Sequence, residues 1–101
     1  MRFGHLQRFI LLRAFETRGR VVRRGLEAFY KTQTTPPKRK DQIGAVTHTL
    51  ERMLALGLLT ALCVRTAEKW FIKEVRLTAH GRREALRLLG EQQKLPLRRV
   101  L

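Results

Sequence analysis

Polar side chains recur at helical spacing in the segment that follows a double proline. Gln42, Ala45, His48, Thr49 and Arg52 are mostly three or four residues apart, so a helix would place them on one side. Glutamine can pair with adenine and arginine with guanine, and the methyl groups of threonine and alanine can contact the methyl group of thymine. The segment therefore has side chains suited to contacting base edges in a major groove.

Lysine and arginine residues flank this segment on both sides. Three basic residues precede the predicted helix, where a phosphate would also meet the positive end of the helix dipole. Three more lie on or beside a predicted hairpin, where a wing would contact the adjacent minor groove or the backbone. We expect both groups to position the protein on a nucleic acid rather than to set its sequence preference. The predicted backbone contacts are Lys38, Arg39, Lys40, Arg65, Lys69 and Lys73.

The overall charge favours the same class of partner. The chain has 101 residues, with 22 Lys and Arg against eight Asp and Glu, and a formal net charge of +14. A surface this cationic repels itself unless polyanions or counterions neutralise it, so nucleic acid is the first partner to consider and an anionic membrane the second. The length predicts one domain.

The helix that carries the polar side chains needs a core to pack on, and the apolar pattern predicts one. An apolar stripe lies on the other side of a helix over 41–57, and we expect it to face the core. Its members are Ile43, Val46, Leu50, Met53 and Leu54. The other predicted elements are a helix over 5–17, a short strand over 20–22, a second helix over 23–31, a loop over 32–40, hairpin strands over 62–66 and 70–77, and a closing helix after Thr78.

Two motifs in this order carry a resemblance to a known family. The first, TLERMLALGLL, contains Leu50, Leu54, Gly57, Leu58 and Leu59. The second, VRLTAHGRR, follows at hairpin distance and contains Leu77, Thr78, Gly81 and Arg82. They resemble the end of the recognition helix and the end of the third strand in MarR-like and PadR-like transcriptional regulators, which belong to the winged helix-turn-helix superfamily.

The resemblance implies an α+β domain that is mostly α, with a two- or three-stranded antiparallel wing sheet and an additional C-terminal helix. We expect this domain to span residues 1–95 and a short basic tail to span 96–101. The implied function is sequence-specific binding of double-stranded DNA by a transcriptional regulator of prokaryotic, plasmid or viral origin. The helix over 41–57 would lie in the major groove, with Gln42, His48, Thr49 and Arg52 on base edges, and the wing over 65–73 on the backbone or minor groove.

The oligomeric state and the ligand leave alternatives open. We expect a homodimer, because the core is small and the terminal segments 3–15 and 85–95 are rich in leucine and phenylalanine that could pack across a twofold axis. One alternative is an RNA- or ribosome-associated winged-helix protein. The other is a winged-helix module that binds protein.

The remaining reactive side chains do not indicate catalysis. The acids are scattered beside arginines, and the three histidines have no metal-ligand spacing with the single cysteine, Cys63. We therefore expect no enzyme, cofactor, metal or small-molecule effector. Cys63 is expected in the core, and Trp70 as an anchor of the hairpin to the core or to a dimer partner. With no signal peptide and no apolar run of ~20 residues, we expect a cytoplasmic location and no membrane association.

Overall fold

A three-stranded antiparallel sheet packs against four α-helices in the computed structural model, which describes residues 3–31, 33–67 and 69–94. The described residues form a small, mostly helical α+β domain, as expected from the sequence at this level. The proposed tail over 96–101 and the end of the leucine-rich segment 85–95 lie outside the described residues. The elements are α1 (His5–Glu16), β1 (Arg20–Val22), a 3-10 turn (Arg23–Glu27), α2 (Ala28–Lys31), α3 (Arg39–Ala55), β2 (Leu59–Arg65), β3 (Trp70–Leu77) and α4 (Ala79–Lys94).

The core lies between the helices and one face of the sheet. Its largest fully buried side chains are aliphatic, because the apolar stripes of α1, α3 and α4 converge there. No polar or charged residue is buried in the described part of the chain, so the charged side chains remain at or near the surface. The fully buried large residues are Ile10, Leu11, Leu26, Leu50, Met53, Leu58 and Val75.

The sheet has the strand order β1-β3-β2. Arg20 pairs with Arg76 at the start of β1, and Leu59 pairs with Leu77 at the base of the hairpin. A register shift between Leu62 and Cys63 interrupts the β2–β3 ladder. Strand β2 begins three residues before the predicted position, because Leu59, which looked like part of a helix exit, already pairs with Leu77 in the sheet.

The N-terminus of α3 corrects one prediction. The helix begins at Arg39, and the Gln42 amide donates to the Lys38 carbonyl at 3.0 Å. Arg39 and Lys40 therefore belong to the first turn instead of preceding it. Asp41 also lies inside this turn, where a carboxylate is favoured by the helix dipole.

The C-terminus of α3 ends in a Schellman motif. The Leu58 amide donates to the Met53 carbonyl and the Gly57 amide to the Leu54 carbonyl, both at 3.0 Å, with Gly57 at φ +76°. This pattern satisfies carbonyls that the helix end leaves without partners. The chain then turns directly into β2, so the end of α3 is fixed to the base of the sheet.

A junction of four residues, Gly57, Leu58, Thr78 and Gly81, joins the end of α3 to the start of α4. The Thr78 hydroxyl donates to the Gly57 carbonyl at 2.6 Å and accepts from the Gly81 amide at 3.0 Å, while the Thr78 amide donates to the Leu58 carbonyl at 3.1 Å. A Cβ on Gly81 would overlap the Leu58 carbonyl oxygen. The two sequence motifs therefore meet at one packing contact that orients α3.

The second predicted helix is divided in two. Residues 23–27 form a 3-10 turn and residues 28–31 a single α-helical turn. None of the helices in the described ranges combines the length and the apolar character needed to cross a membrane.

Candidate nucleic-acid interface

The outward side of α3 carries three of the five predicted base contacts. Ala45, His48 and Arg52 are exposed, opposite a buried stripe whose members on α3 are Val46, Leu50 and Met53. No atom lies within 4 Å of the position that a Cβ on Gly44 would occupy. Gly44 and Ala45 thus leave this part of the outward side without a long side chain. The longer Arg52 side chain lies farther along the helix.

The other two predicted base contacts, Gln42 and Thr49, correct the expectation of full exposure. Both are half-buried, and the Gln42 Nε2 amide donates to the Pro37 carbonyl at 2.8 Å. Ile43, expected in the core, is 41% exposed, whereas Val46, Leu50 and Met53 of the same predicted stripe are buried. The helix is therefore rotated about its axis relative to the predicted orientation, which turns Ile43 outward and Gln42 and Thr49 inward.

A guanidinium group explains why this rotation is stable. Arg23 donates to the Ile43 carbonyl at 3.1 Å and to the Thr47 hydroxyl, and its Cζ lies 5.0 Å from the centre of the Phe71 ring. Burial lowers the pKa of Arg23, with Glu27 and Glu51 opposing the shift. Arg23 thus connects α3 to strand β3. Its sequence context, a run of basic residues, gives no signal of this role.

An open groove of about 390 Å³ lies between the 3-10 turn, the start of α3 and the hairpin. Three exposed apolar side chains, Val22, Ile43 and Phe71, contribute to its lining. The predicted backbone contacts Arg39 and Lys73 come together here, although they are far apart in the sequence. The full lining is Val22, Arg23, Arg24, Glu27, Arg39, Ile43, Phe71 and Lys73.

The groove is cationic overall. It is lined by four basic residues and one acid, and that acid, Glu27, pairs with Arg39 at 3.3 Å. Lys38 and Lys40 are exposed at the start of α3, and both are adjacent in sequence to Arg39, which lines the groove. The arrangement can accept a phosphate on its rim while apolar surface contacts the rest of a nucleotide.

Two acidic residues that were not among the predicted contacts also lie on the exposed surface of α3. Asp41 and Glu51 are both exposed, Asp41 in the first turn of the helix and Glu51 adjacent to Arg52 in the sequence. The outward side is therefore of mixed charge rather than uniformly basic. A carboxylate there can accept a hydrogen bond from the amino group of cytosine.

The outer half of the hairpin is exposed, which corrects two further expectations. Trp70 is 63% exposed, so it does not anchor the hairpin to the core of this chain, and Cys63 is exposed rather than buried. The reason is that β2 and β3 extend beyond the helices, so nothing in the described chain covers their outer residues. Arg65 lies across the Trp70 ring, with its Cζ 5.6 Å from the ring centre.

The hairpin tip is closed by Thr66 and Lys69. The Thr66 amide and hydroxyl both donate to the Lys69 carbonyl, at 2.9 and 2.8 Å. This turn holds Lys69 at the tip, with the exposed Arg65 beside it. All three predicted hairpin contacts, Arg65, Lys69 and Lys73, are exposed.

No family model and no curated protein matches this chain.

Proposed function

We propose that this protein is a winged helix-turn-helix transcriptional regulator that binds double-stranded DNA, with α3 in the major groove and the β2–β3 hairpin as the wing. The observation that carries the proposal is the exposed side of α3 beside a groove lined by Arg23, Arg24, Arg39 and Lys73. A major groove is wide enough for such a helix, and cations along one edge are suited to the phosphates that flank it.

The outward side of α3 supports contact with base edges. Gly44 and Ala45 allow the helix to approach the base pairs closely, because neither carries a long side chain. Arg52 and His48 are then the exposed donors that can reach a groove, and Arg52 is suited to the two acceptors on guanine. Gln42 and Thr49 would contact bases only at the edge of the helix surface.

The mixed charge on the outward side of α3 favours sequence-specific binding of DNA over binding by charge attraction alone. Asp41 and Glu51 are repelled by phosphates, so they lower the affinity for arbitrary DNA. Each can offset that cost only where the DNA presents a donor, such as the amino group of cytosine. Backbone contacts then come from Lys38, Arg39 and Lys40 at the start of α3 and from Arg65, Lys69 and Lys73 on the wing.

A homodimer inside the cell completes the proposal. Ile10, Leu11 and Leu88, from the apolar terminal segments, are buried in the core of the chain itself. Leu86 on α4 is 51% exposed and is available to a second copy. A twofold axis would present two α3 helices to half-sites about 34 to 36 Å apart. The protein would act by occupying DNA, without catalysis or a cofactor.

Selection from a pool of randomised duplexes tests the proposal. We expect enrichment of a palindromic sequence, and Arg52→Ala should reduce the preference for it over random duplex by about 1–3 kcal/mol. Arg83→Ala, which removes one charge from the exposed surface of α4, is the matched control and should leave the preference unchanged. Equal losses on selected and random duplexes for Arg52→Ala would contradict base contact.

The salt dependence separates backbone contacts from base contacts. Lys40→Ala should weaken binding to every duplex by a similar factor and lower the slope of log affinity against log salt concentration by about 1. An unchanged salt-dependence slope for Lys40→Ala would show that the start of α3 does not contact the DNA backbone.

A second candidate function is binding of structured RNA, and Trp70 is the observation that favours it. An exposed aromatic ring with an arginine across it is suited to stacking on an unpaired base. A competition assay distinguishes the two functions. An RNA complex that persists when excess duplex DNA is added, and that Trp70→Ala weakens, would favour the RNA-binding protein.

A further inference from the structure

A second cationic cavity, of about 440 Å³, lies at the base of the sheet. It shares no lining residue with the groove beside α3. One of its lining residues, Leu77, ends β3, whereas Trp70 begins that strand next to the hairpin tip. The two ends are roughly 23 Å apart along the strand, at ~3.3 Å per residue. We name this site the arginine cavity; it is lined by Thr17, Arg18, Gly19, Arg20, Arg76, Leu77 and Arg82.

Four arginines from three separate segments meet in this cavity without a carboxylate in its lining. Glu74 lies nearby and pairs with Arg20 at 3.7 Å and with Arg76 at 3.2 Å. Among the described residues, no ion pair joins Arg18 or Arg82 to an acid. The cluster therefore has an excess positive charge that a bound anion would neutralise.

The Arg82 guanidinium lies beside the turn at Gly19, in the lining of the cavity. Arg18 and Gly19 both have left-handed conformations, with φ of +65° and +88°. A Cβ on Gly19 would lie 2.8 Å from a terminal nitrogen of Arg82, so this guanidinium lies directly against the Gly19 backbone. On its other side, the Arg82 Cζ lies 5.9 Å from the centre of the Phe15 ring.

The left-handed conformation at Arg18 belongs to the turn that ends α1. A non-glycine residue with positive φ costs free energy and persists only where its surroundings impose it. Here the turn is held by two backbone hydrogen bonds, from the Gly19 amide to the Ala14 carbonyl at 2.6 Å and from the Leu77 amide to the Gly19 carbonyl at 2.7 Å. These hydrogen bonds hold Arg18 at the cavity that Arg82 also lines.

We propose that the arginine cavity binds a phosphorylated small molecule, with Arg18 and Arg82 as its principal contacts. Guanidinium groups form paired hydrogen bonds with phosphate oxygens. The volume exceeds that of a single phosphate and falls in the range of small-molecule sites. Arg20 and Arg76, already paired with Glu74, border the same space and add positive charge around the ligand.

Calorimetric titration of the full chain with pyrophosphate tests the proposal. The buffer contains no phosphate and has about 0.15 M chloride, an ionic strength at which interactions between exposed charges are largely screened. We expect saturable binding of one pyrophosphate per chain. Arg82→Gln should weaken it by at least about tenfold, the effect of losing a charge-assisted hydrogen bond. Arg83→Gln removes the same charge from the next residue of α4, outside the cavity lining, and should change the affinity less than about twofold.

A further variant keeps the test decisive. Arg18→Gly retains the left-handed backbone and should weaken pyrophosphate binding as Arg82→Gln does, with thermal unfolding confirming that both variants fold. Absence of saturable binding to the wild type, or equal losses for Arg82→Gln and Arg83→Gln, would overturn the proposal. A third outcome is that the wild type does not bind pyrophosphate while Arg18→Gly and Arg82→Gln both lose binding to duplex DNA. That outcome would show that the cavity contacts the DNA backbone instead of a small molecule.

Pyrophosphate binding does not depend on the proposed role of α3. Failure of the proposed DNA function would appear as loss of sequence preference in the duplex selection, whereas failure of this inference would appear in the pyrophosphate titration alone.

Discussion

The two ends of the β2–β3 hairpin have the same strands but opposite environments. At the base, Leu59 and Val75 are buried, and the junction at Thr78 and Gly81 connects the sheet to α3 and α4. At the outer end, Leu62 and Trp70 are 53% and 63% exposed. Helices cover only the base, so the base contributes to stability, while the outer end has apolar and basic side chains available to a partner.

This comparison separates folding from the proposed binding. Substitutions at the base should lower the free energy of unfolding, and substitutions at the outer end should leave it nearly unchanged. Arg23 lies between the two regions, because it contacts both α3 and the Phe71 ring. Three variants, taken from the largest expected effect to the smallest, test this division.

Gly81→Ala should have the largest effect on stability. The added Cβ would overlap the Leu58 carbonyl oxygen, a backbone atom that cannot move without displacing the end of α3. We expect the free energy of unfolding to fall by about 3 kcal/mol in urea titrations. Gly90→Ala on the same helix has no atom within 4 Å of the new Cβ and should gain about 0.5–1 kcal/mol. Similar changes in the free energy of unfolding for the two substitutions would show that the junction is not the packing contact that orients α3.

Arg23→Met should have an intermediate effect. Methionine retains an apolar stem beside Phe71 but cannot donate to the Ile43 carbonyl or the Thr47 hydroxyl. Because both hydrogen bonds come from a charged donor, we expect a loss of about 1.5 kcal/mol in the free energy of unfolding. The control is Arg24→Met, since Arg24 is exposed and lines the same groove. A loss as large for Arg24→Met would mean that removing charge, rather than the hydrogen bonds of Arg23, changes the stability.

Trp70→Ala should have the smallest effect on folding. A side chain that is 63% exposed has little packing to lose, so we expect a change within about 0.5 kcal/mol. Leu59→Ala, at the buried base of the same hairpin, should cost about 2 kcal/mol or more. Thermal and urea unfolding of both variants give the comparison. A large loss of stability for Trp70→Ala would show that a second copy of the chain covers the outer hairpin.

The order of the elements follows from local patterns and was predictable. Apolar residues at helical spacing predicted α1 and α3, alternation predicted β3, and Gly57 marked the end of α3 within two residues. Thr78 was predicted as the start of the last helix for the reason that the structure gives, namely a hydroxyl that accepts from an amide of the first turn. These features depend on neighbouring residues, so the sequence contains their cause.

The errors concern which surface of an element is covered. Ile43, Trp70 and Cys63 have apolar side chains and were expected in the core or, for Trp70, in a dimer interface. Ile43 instead lines the groove beside α3, and the other two lie on a part of the hairpin that extends past the helices. A local pattern gives the side of a helix or strand that is apolar, but not how far the neighbouring elements reach.

The sequence by itself determined the excess of basic side chains, the order of the helices and strands, and the turn at Gly57 that follows α3, because composition, turn residues and periodicity are local properties. Only the tertiary structure decided the rotation of α3, the convergence of Arg39 and Lys73 on one groove, and the meeting of Arg18, Arg20, Arg76 and Arg82 in a second cavity. Those arrangements join residues far apart in the chain, and their geometry is set by packing between elements, which no local pattern contains.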